Sequence, residues 1–78
     1  MNMIERIQAE LDVARAKFPS NEHCMTALTE EVGELAKALL DEPWPRVVQE
    51  AVQVAVMAIR VAEDGDQTFN ALRARKGL

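Results

Sequence analysis

The segment from Thr29 to Leu40, TEEVGELAKALL, constrains the fold more than any other part of the chain. Apolar residues recur in and just before it at the three- and four-residue spacing of one α-helix face. They are Leu28, Val32, Leu35 and Leu39. The segment therefore predicts an amphipathic helix whose apolar stripe packs into a core.

Glutamates accompany this apolar stripe. At about 100° per residue, Glu31 and Glu34 fall about 60° and 120° to one side of Leu28. Glu30 and Lys37 point roughly the opposite way, towards water. Acidic side chains three and four residues apart on a helix repel each other, so a purely structural helix gains little from them. The pattern favours a positively charged group bound beside Glu31 and Glu34.

Length and composition limit the class of protein. A chain of 78 residues is one small domain, residues 1–78, and its net charge of −4 argues against a nucleic-acid polymer as partner. The longest apolar run, 54–59, is too short to span a membrane, and the N-terminal residues lack the apolar core of a secretion signal. The single Cys24 cannot form an internal disulfide. We expect a cytoplasmic protein with no membrane partner.

Hydrophobic periodicity predicts an all-α fold. It indicates helices over about 3–17, 22–40 and 45–64, with a short last helix after residue 66. Aromatic residues are few, and β-branched residues concentrate in the third helical segment, which argues against a β fold. We expect a four-helix bundle.

Short polar residues and glycines predict where these helices begin and end. Ser20 or Asn21 is expected to cap the second helix, and Gly65 to end the third. Asp66 is expected to cap the last helix, whose apolar side chains should point inward. Those side chains are Phe69 and Leu72. Gly33, in the middle of a helix, is expected to mark a close approach between helices.

The third helix is apolar on two sides. One broad face holds Ala51, Val52, Ala55, Val56, Ala58, Ile59 and Ala62, and a second holds Val54, Met57 and Val61. A helix that is apolar on two sides has to be buried on two sides, and a chain this short has few elements to bury it. A central helix in a monomeric bundle is one explanation. A subunit interface is the one we favour, so we expect an oligomer.

Acidic and amide side chains also follow a matching spacing on two successive helices. Glu31 and Glu34 stand three residues apart on the second helix, as do Glu50 and Gln53 on the third. Two antiparallel helices with such spacing can bring their side chains to one metal site. Oxygen ligands suit a hard cation such as Mg²⁺. The alternative is an ordinary solvated face, because exposed glutamates are common on surface helices.

The two segments EEVGELAKALL and EAVQVAVMAIR resemble the MazG-type, all-α nucleoside triphosphate pyrophosphohydrolases. That family carries E-E-x-x-E on one helix and E-x-x-D on the next. Glu30, Glu31 and Glu34 match the first motif, and Glu50 matches the start of the second. Gln53 stands where the family has aspartate; it offers one neutral carbonyl oxygen in place of a charge.

The resemblance implies an activity and a site. It implies hydrolysis of (d)NTPs to the monophosphate and pyrophosphate, with Mg²⁺ (or Mn²⁺ in its place), by a dimer or tetramer. It makes Glu31, Glu34, Glu50 and Gln53 the metal ligands and Glu30 a helper for the metal or the attacking water. The catalytic group is then Glu30, Glu31, Glu34 and Glu50.

Cations and aromatics elsewhere are weaker candidates for binding the substrate. Cationic candidates for the phosphates are Lys37, Arg46, Arg60, Arg73 and Lys76, of which Arg60 has the best position. Asn70 is a polar candidate, and Trp44 could stack on a base or anchor a loop. His23 and Cys24 have no partners at zinc-site spacing.

The neutral Gln53 is also compatible with a second function. A chain with a neutral second motif could be a catalytically weak or inactive relative that binds nucleotide or metal, or a module that only oligomerises.

Overall fold

The computed structural model describes all 78 residues, and it is entirely helical. Helix α1 runs over Met3–Lys17, α2 over Cys24–Asp41 and α3 over Trp44–Asp64. A 3₁₀ turn, Gln67–Phe69, leads into the short helix α4, Asn70–Arg75. The prediction of an all-α fold is confirmed.

Helix α1 begins and ends where its local sequence predicts. The Asn2 side chain accepts a hydrogen bond from the Glu5 N–H at 2.8 Å, and the Glu5 carboxylate accepts one from the Asn2 N–H at 3.1 Å. This reciprocal pair satisfies donors that the first helical turn leaves unpaired. The helix ends at Lys17, one residue before Phe18 and the breaking Pro19.

Helix α2 begins later than predicted and is capped from elsewhere in the chain. Neither Ser20 nor Asn21 caps it; its first residue is Cys24, preceded by His23 in a left-handed conformation with φ 63°. The Asp66 carboxylate accepts hydrogen bonds from the Met25 N–H at 2.8 Å and the His23 N–H at 3.2 Å. The cap of α2 is thus supplied by a residue just after α3.

Helix α3 lies between α1 and α2, which do not pack against each other. On one side of it, Leu11 of α1 forms a small core with Val52 and Val56. Ile7, Ala14 and Ile59 pack against that core. On another side α3 packs along α2, with which it forms a helical hairpin. Gly65 ends α3 as predicted, with φ 75° and its N–H bonded to the Val61 carbonyl.

The face of α2 that packs on α3 differs from the predicted stripe. Cys24 and Ala38 are its buried residues; of the predicted stripe, Leu28 and Leu35 are half-buried, whereas Val32 and Leu39 are exposed. By helix geometry, Glu31 lies on the same side as Cys24 and Ala38. Small side chains let two helices approach closely, which explains why α3 lies against this side. Glu31, which the spacing placed to one side of the apolar stripe, is therefore part of the packed face.

Much apolar surface stays exposed in the single chain. Phe69 and Leu72 are 42% and 41% exposed, so the expectation that they point inward is wrong. Helix α4 packs only against the 3₁₀ turn before it, so the bundle proper has three helices. On α3, the part of the broad apolar face that α1 leaves uncovered carries exposed alanines. We call Ala51, Ala58 and Ala62 the alanine stripe.

None of the helices is both long enough and apolar enough to cross a membrane.

Candidate functional site

The acidic side chains of α2 and α3 meet between the two helices. Glu31 is half-buried and Glu50 is 7% exposed. Their carboxyl groups lie side by side, close enough for a hydrogen bond once one of them carries a proton. We call Glu31 and Glu50 the carboxylate pair. Its members come from the two motifs that the sequence singled out.

The carboxylate pair holds more negative charge than its surroundings neutralise. Burial, the hydrogen bond to Glu50 and the negative charges of Glu50, Glu34 and Glu30 raise the pKa of Glu31 to about 7. A carboxyl group that is partly withdrawn from water beside another carboxylate favours its neutral form. A proton on Glu31, or a cation bound beside it, would relieve this repulsion.

The other predicted site acids lie around this pair, and not within it. Glu34 is exposed, one helical turn after Glu31, and Glu30 is exposed on the side away from α3. No three Asp, Glu, His or Cys side chains come together as a ready-made metal site. The Gln53 side-chain amide donates a hydrogen bond to the Glu10 carboxylate of α1 at 3.3 Å. The set Glu31, Glu34, Glu50 and Gln53 thus remains a prediction, of which the structure brings Glu31 and Glu50 together.

The donors present fit Mg²⁺ better than a softer metal. Mg²⁺ takes oxygen ligands and is commonly held by one or two carboxylates, while its other positions go to water and phosphate. The carboxylate pair supplies that number of carboxylates, and the pKa of Glu31 is raised first by burial and then by its acidic neighbours. Glu31 and Glu50 would be the residues that hold the cation.

A cavity of about 330 Å³ opens beside Glu31, between α1, α2 and α3. Its polar lining includes Gln53 and Arg60, and its apolar lining includes Phe18, Ala27 and Met57. Small-molecule sites are concave, mostly apolar and fitted with a few polar groups, and this cavity has the same character. Glu31 is the residue that belongs to both the cavity and the carboxylate pair.

Arg60, the best placed of the cationic candidates, lines the cavity. It is 3% exposed, with its guanidinium donating to the Ser20 carbonyl at 3.1 Å and to the Asp64 carboxylate at 3.4 Å. These contacts tie the α1–α2 connection to the end of α3. Arg60 therefore shapes the cavity wall, and its buried charge is paired with Asp64.

The remaining predicted binding residues lie elsewhere. Lys37 pairs with Glu42 at 3.7 Å, and Asn70 is exposed in α4. Trp44 is 68% exposed at the start of α3, so it does not anchor a loop. None of these three lines the cavity.

Two contacts of the site were missed by sequence reasoning. The pairing of Arg46 with Glu50, at 2.8 Å, follows an i, i+4 spacing that could have been read from the sequence. The contact between Gln53 and Glu10 joins residues 43 positions apart, and no local signal could have found it.

Comparison of the chain with family models, curated proteins and solved structures finds no match, so its residues and their arrangement carry the functional argument.

Proposed function

We propose that this protein is a Mg²⁺-dependent nucleoside triphosphate pyrophosphohydrolase of the MazG-like type. It would release the monophosphate and pyrophosphate from (d)NTPs. The observation that carries the proposal is the carboxylate pair, Glu31 and Glu50, which faces across α2 and α3 at the edge of a cavity of ligand size. The motifs EEVGE and EAVQ, which resemble that family, supply the two members of the pair.

Each part of the site has a task in this reaction. Glu31 and Glu50 hold the cation, and Glu34 and Glu30 add negative charge beside it. Mg²⁺, or Mn²⁺ in its place, supplies charge neutralisation and orientation of the phosphates when bound. The cavity with Phe18 and Met57 receives the nucleoside part of the substrate. Arg60, the one arginine or lysine that lines the cavity, is the candidate contact for the phosphates of the substrate.

The proposal includes self-association as a dimer or tetramer in the cytoplasm. The chain exposes 5485 Å². A folded monomer of its mass exposes about 4,700 Å² by the usual scaling. Its radius of gyration is 14.0 Å, where a compact chain of this length has about 11.5 Å. A second copy that covers apolar surface would remove this excess. The single free thiol of Cys24 is compatible with a reducing compartment.

The test is pyrophosphate release from a panel of (d)NTPs in the presence of Mg²⁺. We expect monophosphate and pyrophosphate as products, and no diphosphate. Glu31→Gln and Glu50→Gln should lower kcat/KM at least about 100-fold, because several kcal/mol of charge stabilisation depend on the cation. Asp41→Asn is the matched control, since Asp41 is an exposed acid at the end of the same helix. Equal activity of all three variants and the wild type would contradict the proposal.

A second candidate function is nucleotide or metal binding without turnover. Gln53 favours this function, because it is neutral and its amide donates to Glu10. Glu50 is then the one carboxylate that the second motif brings to the pair. Such a protein would bind Mg²⁺ and nucleotide but release no pyrophosphate. Gln53→Asp adds the missing charge, so the appearance of activity only in this variant would support the second function.

A further inference from the structure

Arg46 is held at the carboxylate pair by a set of polar contacts. Its guanidinium donates to Glu50 at 2.8 Å and to Gln49 at 2.7 Å. It also lies 3.7 Å from the Glu42 carboxylate. Gln49 and Glu50 belong to α3, and Glu42 lies in the short connection between α2 and α3.

Glu50 depends on Arg46 for its charge balance. A buried carboxylate is costly unless it is paired, and Glu50 is 7% exposed. On one side it meets Glu31, a second acid. Arg46 is the one cation that forms an ion pair with either member of the carboxylate pair, since Lys37 pairs with Glu42.

The position of Arg46 makes this contact reversible. Its side chain is 42% exposed, whereas that of Glu50 is 9% exposed. An exposed guanidinium returns to water at little cost, while the buried carboxylate needs a replacement cation. A divalent cation that binds between Glu31 and Glu50 supplies this replacement. It also repels Arg46, which occupies one oxygen of Glu50.

We propose that Arg46 is the counter-ion that a divalent cation displaces from Glu50. This inference rests on the proposed function, because it places the cation at the carboxylate pair. Arg46 is then a positioning residue: it holds the Glu50 carboxylate in place in the metal-free protein, and it competes with the metal for that carboxylate. The competition lowers the affinity for the cation.

The direction in which loss of Arg46 changes the affinity for the cation separates competition from a structural role. Loss of a structural residue weakens metal binding, whereas loss of a competitor strengthens it. Removing an ion pair of this exposure changes an equilibrium about two- to fivefold. Arg46→Gln should therefore bind the cation about two- to fivefold more tightly than the wild type.

Calorimetric titration of the metal-free protein with Mn²⁺, without nucleotide, measures this directly. Arg46→Lys keeps the charge and should resemble the wild type. Arg75→Gln is the matched control for net charge, because Arg75 is exposed in α4 and forms no ion pair; its affinity should not change. A tighter Kd only in Arg46→Gln supports the inference.

The opposing outcomes are distinct. If the wild type binds Mn²⁺ and Arg46→Gln binds no more tightly than Arg75→Gln, the inference is wrong and the proposed function stands. If no variant binds Mn²⁺ at millimolar concentration, the proposed function fails and the inference with it.

A measurement on the wild type covers the case in which Arg46→Gln does not fold. The Arg46 side-chain N–H resonance should shift as Mg²⁺ is added, while that of Arg75 should not. An Arg46 resonance that stays unchanged at saturating Mg²⁺ would overturn the displacement.

Discussion

Glu31 is the residue whose surroundings deviate most from those of an ordinary surface glutamate. Burial and the neighbouring Glu50 raise its pKa from 4.5 to about 7. Between these two values the folded protein holds a proton that the unfolded chain has lost. Stability in the absence of metal should therefore fall as the pH rises through this window, by an amount on the order of 1 kcal/mol.

Urea unfolding of the metal-free protein between pH 5 and pH 8 tests this dependence, and Glu31→Gln should flatten it. The pKa values of Asp64 and Asp66 are lowered by their hydrogen bonds, so their contributions are lost only at acid pH, outside this window. An unchanged slope in Glu31→Gln would show that another group titrates.

Gly33 lies in the middle of α2, where a side chain would meet no atom within 4 Å. The expectation that it marks a close approach between helices is thus wrong for the single chain. Gly33→Ala should stabilise the fold by about 0.5–1 kcal/mol, because alanine restricts the unfolded chain. Ala36→Gly, at an exposed position of the same helix, should cost a similar amount. Thermal melts compare them; a lower melting temperature for Gly33→Ala would indicate that a second subunit packs against Gly33.

At the scale of elements, α2 depends on a cap that lies 41 residues from the N–H it binds. The carboxylate of Asp66 accepts from the Met25, His23 and Thr68 N–H groups, and the hydrogen bond from Met25 is the main cause of its lowered pKa. The same contacts hold His23 in its left-handed conformation. This connection forms part of the cavity wall, so the cap also shapes the candidate site.

Asp66→Ala should lower the melting temperature, because unpaired N–H groups would then remain at the start of α2. Asp66→Asn should have a smaller effect, since its amide oxygen still accepts hydrogen bonds. Asp41→Ala serves as the control: Asp41 is exposed in the last turn of α2, where a negative charge is unfavourable. Equal melting temperatures for Asp66→Ala and Asp41→Ala would contradict the role of Asp66 as the cap of α2.

At the scale of the whole molecule, the single chain is less compact than a typical monomer of its size. Its one small core, of Leu11, Val52 and Val56, joins α1 to α3 only, and its longest dimension is 44 Å. The alanine stripe on α3 is exposed and bordered by the half-buried Ala55. Small side chains allow another helix to approach closely. We expect a second copy to cover this stripe.

Sedimentation at micromolar concentration should give a mass that is a multiple of 8.7 kDa. Ala58→Glu places a charge in the middle of the alanine stripe and should dissociate the oligomer. Ala16→Glu is the control, because Ala16 is exposed on α1. A folded wild-type monomer would refute self-association, and an intact oligomer in Ala58→Glu would place the interface elsewhere.

The sequence alone determined the helices, because the forces that form them act within one or two turns. Apolar periodicity predicted α1 and α3, and Gly65 predicted the end of α3. The spacing of the two motifs predicted that Glu31, Glu34 and Glu50 face one another, and the structure brings Glu31 and Glu50 together. Each of these signals lies within the helix that it describes, or recurs with the same spacing on two helices that form a hairpin.

Only the tertiary structure decided which face of α2 is packed and what caps its start. The leucines and valine at helical spacing predicted one face, of which Leu28 and Leu35 are half-buried, but the packed face is rotated towards the small residues Cys24 and Ala38. The cap from Asp66 and the hydrogen bond between Gln53 and Glu10 join residues more than 40 positions apart. Such contacts depend on how whole helices pack, and helical periodicity carries no information about a partner that distant in the chain.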